Sequence, residues 1–401
     1  MPLPRPGAKT TLNDVTYPAG GDNLPTLRGC KPLAFPLCLF PHMETQDFSF
    51  ELPDGLIAQH PPPRREEARL FCLQQGLPPL HRRVSFLPEL VRPGDLWVFN
   101  NSKVVKARLL GKKRTTGGRI ELLVVAPVEE GLSLREGLLH PLGGLRWRCL
   151  GRAGKGFKPG EVLEIGAATA KVLTREEEGF VTLRFEGEGT LADLLETSGH
   201  VPLPPYVRRA ASAEDALRYQ TVFAGEEGSI AAPTAGLHFS PALMDALRAK
   251  GARLAFIRLD VGLGTFMPVR TLRVEAHRMH EESCCVPEET ASALAQTRLA
   301  GGRVVAVGTT VVRCLESFAD EAGHVEAGCR RTDIFIFPGH RFRVVQAMLT
   351  NFHLPGSTLL MLVAAFWGHK ETLAAYAEAV AEGYRFYSFG DAMWLAPGRT
   401  P

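Results

Sequence analysis

Two histidines stand in loops that lead into helices, and they are the first candidates for proton transfer. His238 stands near the end of the run Ala232-Pro233-Thr234-Ala235-Gly236-Leu237-His238-Phe239, just ahead of a helix start at Ser240-Pro241. His353 sits in Thr350-Asn351-Phe352-His353-Leu354-Pro355, ahead of a capped helix at Ser357. An imidazole with an unperturbed pKa of about 6.5 takes or gives a proton near neutral pH. Either residue alone reads equally well as a satisfied structural histidine. Two such loops at corresponding ends of an α/β sheet point more firmly to a site. Gly308-Thr309-Thr310 joins an apolar strand to a helix, so free N–H groups at the helix start can receive anionic or polar ligand atoms. The competing reading is that the threonine hydroxyls only cap the helix. Gly262-Leu263-Gly264 follows another strand and lets a ligand approach the backbone. It lacks the third glycine and the helix of a dinucleotide fingerprint.

A metal is the next question. His277, His280, Glu281, Glu282, Cys284 and Cys285 lie close in sequence, and a histidine pair three apart can share one helix face. No second Cys/His pair stands at zinc-finger spacing and H-E-x-x-H is absent, so a polar rim for substrate is the stronger reading and no metal is expected. Basic residues cluster twice. Lys103, Lys106, Arg108, Lys112, Lys113, Arg114 and Arg119 share a stretch without an acidic residue, and Arg146, Arg148, Arg152, Lys155 and Lys158 interleave with Trp147 and Phe157. Solvated surface charge accounts for such runs; a phosphate backbone with unstacked bases accounts for them equally well.

The elements that must position these groups follow from periodicity. Phe48, Phe50 and Leu52 alternate with polar residues as a half-buried strand does. Residues 96–99 read as a strand after Pro93-Gly94-Asp95, followed by the turn-forming Asn100-Asn101-Ser102. Between about 111 and 188, short strands at 120–125, 162–165 and 181–185 alternate with Gly-rich turns, which predicts a small antiparallel barrel or sandwich. Helical signals resume near Thr190. Strands at 253–259, 304–307 and 334–337 then alternate with helices at 242–250 and 311–318, while 342–345 reads as a hairpin partner beyond Pro338-Gly339. The expected fold is therefore mixed α/β: a large domain from residues 44–110 with 190–401, carrying a small antiparallel β-barrel domain inserted at 111–189.

Composition bounds the rest. Of 401 residues, 45% are hydrophobic and 22% charged, as in ordinary folded chains, so a largely disordered protein is excluded. Basic residues outnumber acidic ones by only 46 to 43, so overall charge does not identify a partner. The longest apolar run, 359–367, falls far short of the ~18 residues that span a bilayer, and no membrane association is expected. Eight cysteines without a C-x-x-C pair predict reduced thiols in a cytosol. Residues 1–43 are Pro-rich and sparsely charged; they read as a disordered or loosely docked leader, or as sequence preceding a true start at Met43.

The motifs together resemble the S-adenosylmethionine:tRNA ribosyltransferase-isomerase family of queuosine biosynthesis. The likeness runs from about Phe48 to Met393 and is carried by Phe50-Glu51-Leu52-Pro53, Leu56-Ile57-Ala58-Gln59, Val98-Phe99-Asn100-Asn101 and Tyr219-Gln220-Thr221-Val222-Phe223. It continues through 232–239, 261–266, 307–310, 332–339, 350–355 and 384–393. The resemblance implies transfer and isomerisation of the ribosyl moiety of S-adenosylmethionine onto 7-aminomethyl-7-deazaguanine at the tRNA wobble position. Epoxyqueuosine forms, and adenine and methionine leave. It also implies an α/β domain with an inserted barrel, a tRNA anticodon stem-loop as partner and a cytoplasmic, monomeric enzyme.

On that resemblance the catalytic candidates are His238, His353, Asp333 and Glu282, since the reaction needs proton transfer near the sulfonium and at the departing adenine. Gly262, Gly264, Thr309, Thr310 and Arg313 are expected to hold S-adenosylmethionine, the last by orienting a carboxylate or phosphate. Asn100, Asn101, Lys103, His280, Asn351 and Phe352 are expected to contact the substrate base. Three positions depart from the family pattern: Asp260 stands where histidine is usual, Arg331 for tryptophan and Lys106 for proline. Two rivals are a tRNA-binding relative of the same fold without catalysis and a metal-dependent hydrolase built on His277 and His280.

Overall fold

The computed structural model describes residues 43–209, 211–266 and 269–398; the leader expectation concerns residues that, save Met43, lie outside these. A nine-stranded mixed sheet runs in the order Gly328–Thr332, Glu282–Val286, Arg253–Leu259, Leu96–Asn100, Val304–Val307, Ala347–Asn351, Ala392–Ala396, Arg69–Gln74, Leu80–Arg83. The four strands from Arg253–Leu259 to Ala347–Asn351 are mutually parallel. Their side chains alternate between two cores. Leu96, Val98, Val304, Ala306 and Met348 enter one, and Trp97, Phe99, Val305, Val307 and Leu349 the other. Packing on both faces is why 96–99, 253–259 and 304–307 read as apolar strands, whereas Ala347–Asn351, which ends in Thr350 and Asn351, was not read as one.

Helices Glu288–Leu299, Thr309–Phe318, Thr358–Trp367 and His369–Ala381 cover the first face, and Pro241–Ala249 covers the second. Ser240 caps Pro241–Ala249 by accepting the Leu243 N–H at 3.2 Å, with proline at the first turn. The inserted barrel is a seven-stranded antiparallel sheet of Gly199–His200, Arg108–Lys113, Arg119–Pro127, Arg146–Ala153, Phe180–Glu186, Ala168–Arg175 and Val162–Ile165. It closes where Lys112 and Lys113 pair with Glu164 and Leu163. One short helix, Leu134–Leu138, interrupts it.

Three expectations need correction. Phe48 is buried and Phe50 and Leu52 pack on the core, but they do so from a 3-10 turn, Thr45–Phe48, and an unpaired segment rather than a strand. The hairpin expected at 334–337 and 342–345 is absent. Its apolar residues pack onto the helical face, while the buried carboxylate of Glu316 accepts the N–H groups of Arg343, Val344 and Val345 at 2.9, 3.1 and 3.1 Å. A side chain thus replaces the neighbouring strand. The all-thiol expectation also fails, because Cys285 and Cys329 form a disulfide across paired strands. Their 44-residue separation gives no local spacing to signal it. Cys72, Cys149, Cys284 and Cys314 are free and buried.

Candidate active site

The C-terminal ends of the parallel strands open into a cavity of about 340 Å³, where open α/β sheets bind ligands. Val307 ends its strand at Gly308, whose φ of 98° is a left-handed value suited to glycine. The Thr309–Phe318 helix begins there with no side-chain cap, so the threonine hydroxyls are not used as caps. Gly308, Thr309 and Thr310 line the cavity, and the N–H groups of Thr309 and Thr310 have no intrahelical acceptor. The next strand supplies Thr350 and Asn351, followed by Phe352 and His353.

Both histidines are buried and neutral at physiological pH. Burial pushes His353 down to about 3, and its Nε2 shares a 2.8 Å hydrogen bond with Thr350 Oγ1. His238 closes the 3-10 turn Thr234–His238 behind the cavity wall. Burial lowers its pKa to about 4 against a smaller upward pull from Asp391 and the neighbouring Asn351. His238 Nε2 and Asn351 Oδ1 are buried without a partner of good hydrogen-bond geometry. At these pKa values the imidazoles serve at pH 7 as neutral donors and acceptors.

A second space, a cleft of about 320 Å³, lies between barrel and sheet. Val261 lines both. The cleft is rich in carboxylates: Glu129, Glu130, Asp260, Glu281 and Glu282 all line it, with Gly262 and Arg331. Glu282 forms a buried ion pair with Arg313 and accepts the Gly262 N–H at 3.0 Å. Asp260 ends a relay in which Val261 N–H donates to Ser229 Oγ at 2.9 Å, Ser229 to Ser102 Oγ at 2.7 Å, and Ser102 to Asp260 Oδ1 at 2.6 Å. Burial raises the Asp260 pKa.

The sequence candidates therefore divide between two places. Thr309, Thr310, Asn351, Phe352 and His353 share the cavity, while Gly262 and Glu282 line the cleft. Arg313 reaches that group through Glu282. Buried Asn100 brackets the Arg253–Leu259 strand end, its amide bonding Leu259 O at 2.9 Å and Leu259 N at 3.0 Å, with Thr310 Oγ1 at 3.4 Å. Lys103 pairs with Glu227 at 2.9 Å, and the Asn101 carbonyl accepts the Gly225 N–H at 2.8 Å. Asp333 and His280 are exposed, the latter packed over Gly264; none of these four residues or Gly264 lines either space. Among the described residues, no three metal-ligating side chains cluster.

The barrel's basic runs are largely neutralised. Lys106 pairs with Glu196, Arg108 with Glu121, Lys112 and Arg114 with Glu164, Lys113 with Glu161, Arg146 with Glu129 and Arg148 with Glu176. Trp147 and Phe157 are barrel core, buried to 3% and 5% exposure, and so are not platforms for unstacked bases. Sequence reasoning did not single out Tyr206, Tyr219, Tyr387 and Ser388 as site residues, although Tyr219 and 384–393 stood among the matching motifs; all four line the cavity. Their aromatic character was the available signal, but no spacing brings 206, 219 and 387 together.

Residues 45–395 match the family described as queuosine biosynthesis protein. A relative from Anaeromyxobacter dehalogenans, named S-adenosylmethionine:tRNA ribosyltransferase-isomerase, is 51% identical over 88% of this chain and 99% of its own. One of the same name from Natranaerobius thermophilus is 46% identical, with the same coverage. A crystal structure of S-adenosylmethionine tRNA ribosyltransferase from Thermotoga maritima is 38% identical over 87% of this chain and 99% of its own, with a TM-score of 0.48.

Proposed function

The chain belongs to the queuosine biosynthesis protein family, and from that premise we propose the reaction it performs. It transfers the ribosyl moiety of S-adenosylmethionine to the aminomethyl group of 7-aminomethyl-7-deazaguanine at the tRNA wobble position and isomerises it. The product is epoxyqueuosine, with adenine and methionine released. One observation supports this most directly: two spaces of different chemistry meet at Val261, as a reaction joining two substrates requires. The carboxylate-lined cleft suits cationic groups, which both substrates carry: a sulfonium on one and an aminomethyl ammonium on the other. The cavity, lined by aromatic and neutral polar side chains and by no carboxylate, suits a neutral heterocycle.

Within this reading, Glu282 and Asp260 supply negative charge beside the cationic centres, and Arg313 fixes the Glu282 carboxylate. Thr309 and Thr310 offer donors, Asn351 an acceptor, and His353 a neutral imidazole in the cavity wall. The sulfonium is its own activated leaving group, so the chemistry calls on no metal. The enzyme works as a cytoplasmic monomer on the anticodon stem-loop. The test is adenine release from S-adenosylmethionine with tRNA bearing the 7-aminomethyl-7-deazaguanine base, against unmodified tRNA. Release only with the modified tRNA, with the matching mass gain on that base, is expected; tRNA binding without release overturns the reading.

A further inference from the structure

The cavity has an aromatic wall that the family reading leaves unassigned. Tyr206 and Tyr387 lie with ring centroids 4.0 Å apart and planes tilted by 41°. Tyr387 is held at φ 72°, a region where side chains with a Cβ are crowded. Among the described non-glycine residues only Glu178, in a barrel turn, shares a positive φ. Backbone bonds hold Tyr387 there. Its N–H donates to Phe352 O at 3.1 Å, and its carbonyl accepts from Gly390 N–H at 2.9 Å and from Asn351 Nδ2 at 3.0 Å. The Tyr206 hydroxyl is hydrogen-bonded to Ser388 Oγ. Such over-determined strain marks places where a side chain is aimed rather than merely packed.

The polar atoms around this wall match a particular kind of ligand. Asn351 lines the cavity at 2% exposure, and its side chain lies beside His238 without good hydrogen-bond geometry between them; a carboxamide oxygen has two lone pairs and accepts from an exocyclic amino group. The first turn of the Thr309–Phe318 helix offers N–H donors to ring nitrogens and favours negative charge. No carboxylate lines this cavity, so a base bearing an aminomethyl ammonium would find no counter-charge in it. The carboxylates lie across Val261 in the cleft.

We propose that the cavity is the adenine site. The adenine of S-adenosylmethionine stacks on the Tyr206–Tyr387 wall, its amino group donates to Asn351 Oδ1, and its ring nitrogens face the helix start at Thr309 and Thr310. The sulfonium then points past Val261 to the carboxylates. The helix start stabilises the charge that builds on adenine as its bond to the ribose breaks. This assignment rests on S-adenosylmethionine being a substrate.

Binding of S-adenosylhomocysteine and of free 7-aminomethyl-7-deazaguanine, measured by calorimetry on the full chain, tests it. Tyr387→Gly removes the ring and relaxes the backbone, so the fold is expected to persist. Tyr206→Ala reaches the same wall from a residue of ordinary backbone and serves if the first variant does not fold. Each variant is expected to weaken S-adenosylhomocysteine about ten- to a hundred-fold, as lost base stacking does. The KM for S-adenosylmethionine rises alongside while the KM for tRNA holds. Unchanged S-adenosylhomocysteine binding in both variants, or loss of deazaguanine binding in its place, overturns the assignment. Absence of adenine release by the unaltered protein counts against the reaction, not against this site, which the binding measurement decides separately.

Discussion

The cavity and the cleft are separated by little more than Val261, yet they are polar by opposite means. In the cavity, burial has stripped the histidines of charge, leaving His353, with His238 behind the wall, as neutral hydrogen-bonding groups, while the lining cation Arg208 is exposed and paired with Asp54 at 3.1 Å. In the cleft, charge is kept and balanced: Glu282 against Arg313, Glu281 against Arg331, and Asp260 near Arg258 at 3.7 Å. Strand ends in a fully covered sheet are dry, and only neutral groups remain cheap there. A junction between two folded units brings charged surfaces together and can pair them. The difference teaches that a site for a neutral base and a site for cations require different places in the fold, and this fold sets the two side by side.

The buried ion pair is where this contrast is easiest to break. Arg313 starts from the helix that opens the cavity, while Glu282 belongs to the cleft, so their bond ties the two together. Arg313→Met leaves the Glu282 carboxylate buried and unpaired, which costs about 3–5 kcal/mol. The melting temperature is expected to fall on the order of 10 °C, and adenine release to drop with it as the Gly262 N–H loses a fixed acceptor. Adding Glu282→Leu removes the stranded charge and is expected to recover much of the stability but not the activity. Calorimetry and turnover on the single and double variants separate the two effects. An equal recovery of both would show that the pair is purely structural.

The neutral histidines give the next largest effect, through pH. Their folded pKa values of about 4 and about 3 lie below the unfolded value of about 6.5. The unfolded chain therefore takes up protons first as pH falls. Stability is full above pH ~6.5 and is lost as pH drops through the folded values, by roughly 3 kcal/mol for His238 alone. His238→Asn and His353→Asn are expected to flatten urea-derived stability between pH 6.5 and 4. A steep acid loss that survives both changes would place the titration in the cleft instead. The turnover rate should show no histidine titration between about pH 6 and 8.

How much of this was legible beforehand differs between the two regions. A strand buried on both faces announces itself, so Val304–Val307 emerged from an apolar run; Arg253–Leu259, buried on one face and half-buried on the other, was apolar enough to emerge too, and Ser240-Pro241 marked its helix. The helix start at Gly308-Thr309-Thr310 was readable because it follows a strand, and 350–355 because it precedes a capped helix, although Thr350 and Asn351 belong to the strand Ala347–Asn351 rather than to a loop. The cleft was harder to see. Its carboxylates come from the barrel, from Glu281-Glu282 and from Asp260, and no local period relates them. Conversely, Trp147 and Phe157 looked like nucleic-acid contacts because a ring turned into the barrel core, from a strand for Trp147 and from the following connection for Phe157, is the same residue type as an exposed stacking platform. The segment 334–345 misled for a related reason. Alternation reports burial, and Glu316 supplied the backbone partners that a strand would have needed. Tyr387 could not be singled out, since a left-handed φ at an aromatic residue leaves no trace in the residue types around it.

Asp260 sharpens the comparison most finely, because its pH dependence has the opposite sign to that of the histidines. Burial raises its pKa against the pull of Ser102 and Arg258. A carboxyl group with a raised folded pKa contributes stability at low pH that is lost as pH rises through that value, so at pH 7 the ionised form costs stability. Asp260→Asn keeps an acceptor for the Ser102 hydroxyl and removes the charge. It is expected to raise the melting temperature by about 1–3 °C at pH 7 and to leave it unchanged near pH 4. Asp260→His, the residue suggested by the family pattern, is expected to do the reverse. The carboxylate packs directly on Gly228, where even an added Cβ would come within 2.4 Å of Oδ1, so the space is cut for a short side chain. If the asparagine variant is instead destabilised at pH 7 and releases adenine normally, the charge of Asp260 serves the relay through Ser102 and Ser229 rather than the cations in the cleft. The contrast between neutral cavity and charged cleft would then rest on Glu282 and on the lining carboxylates of Glu129, Glu130 and Glu281.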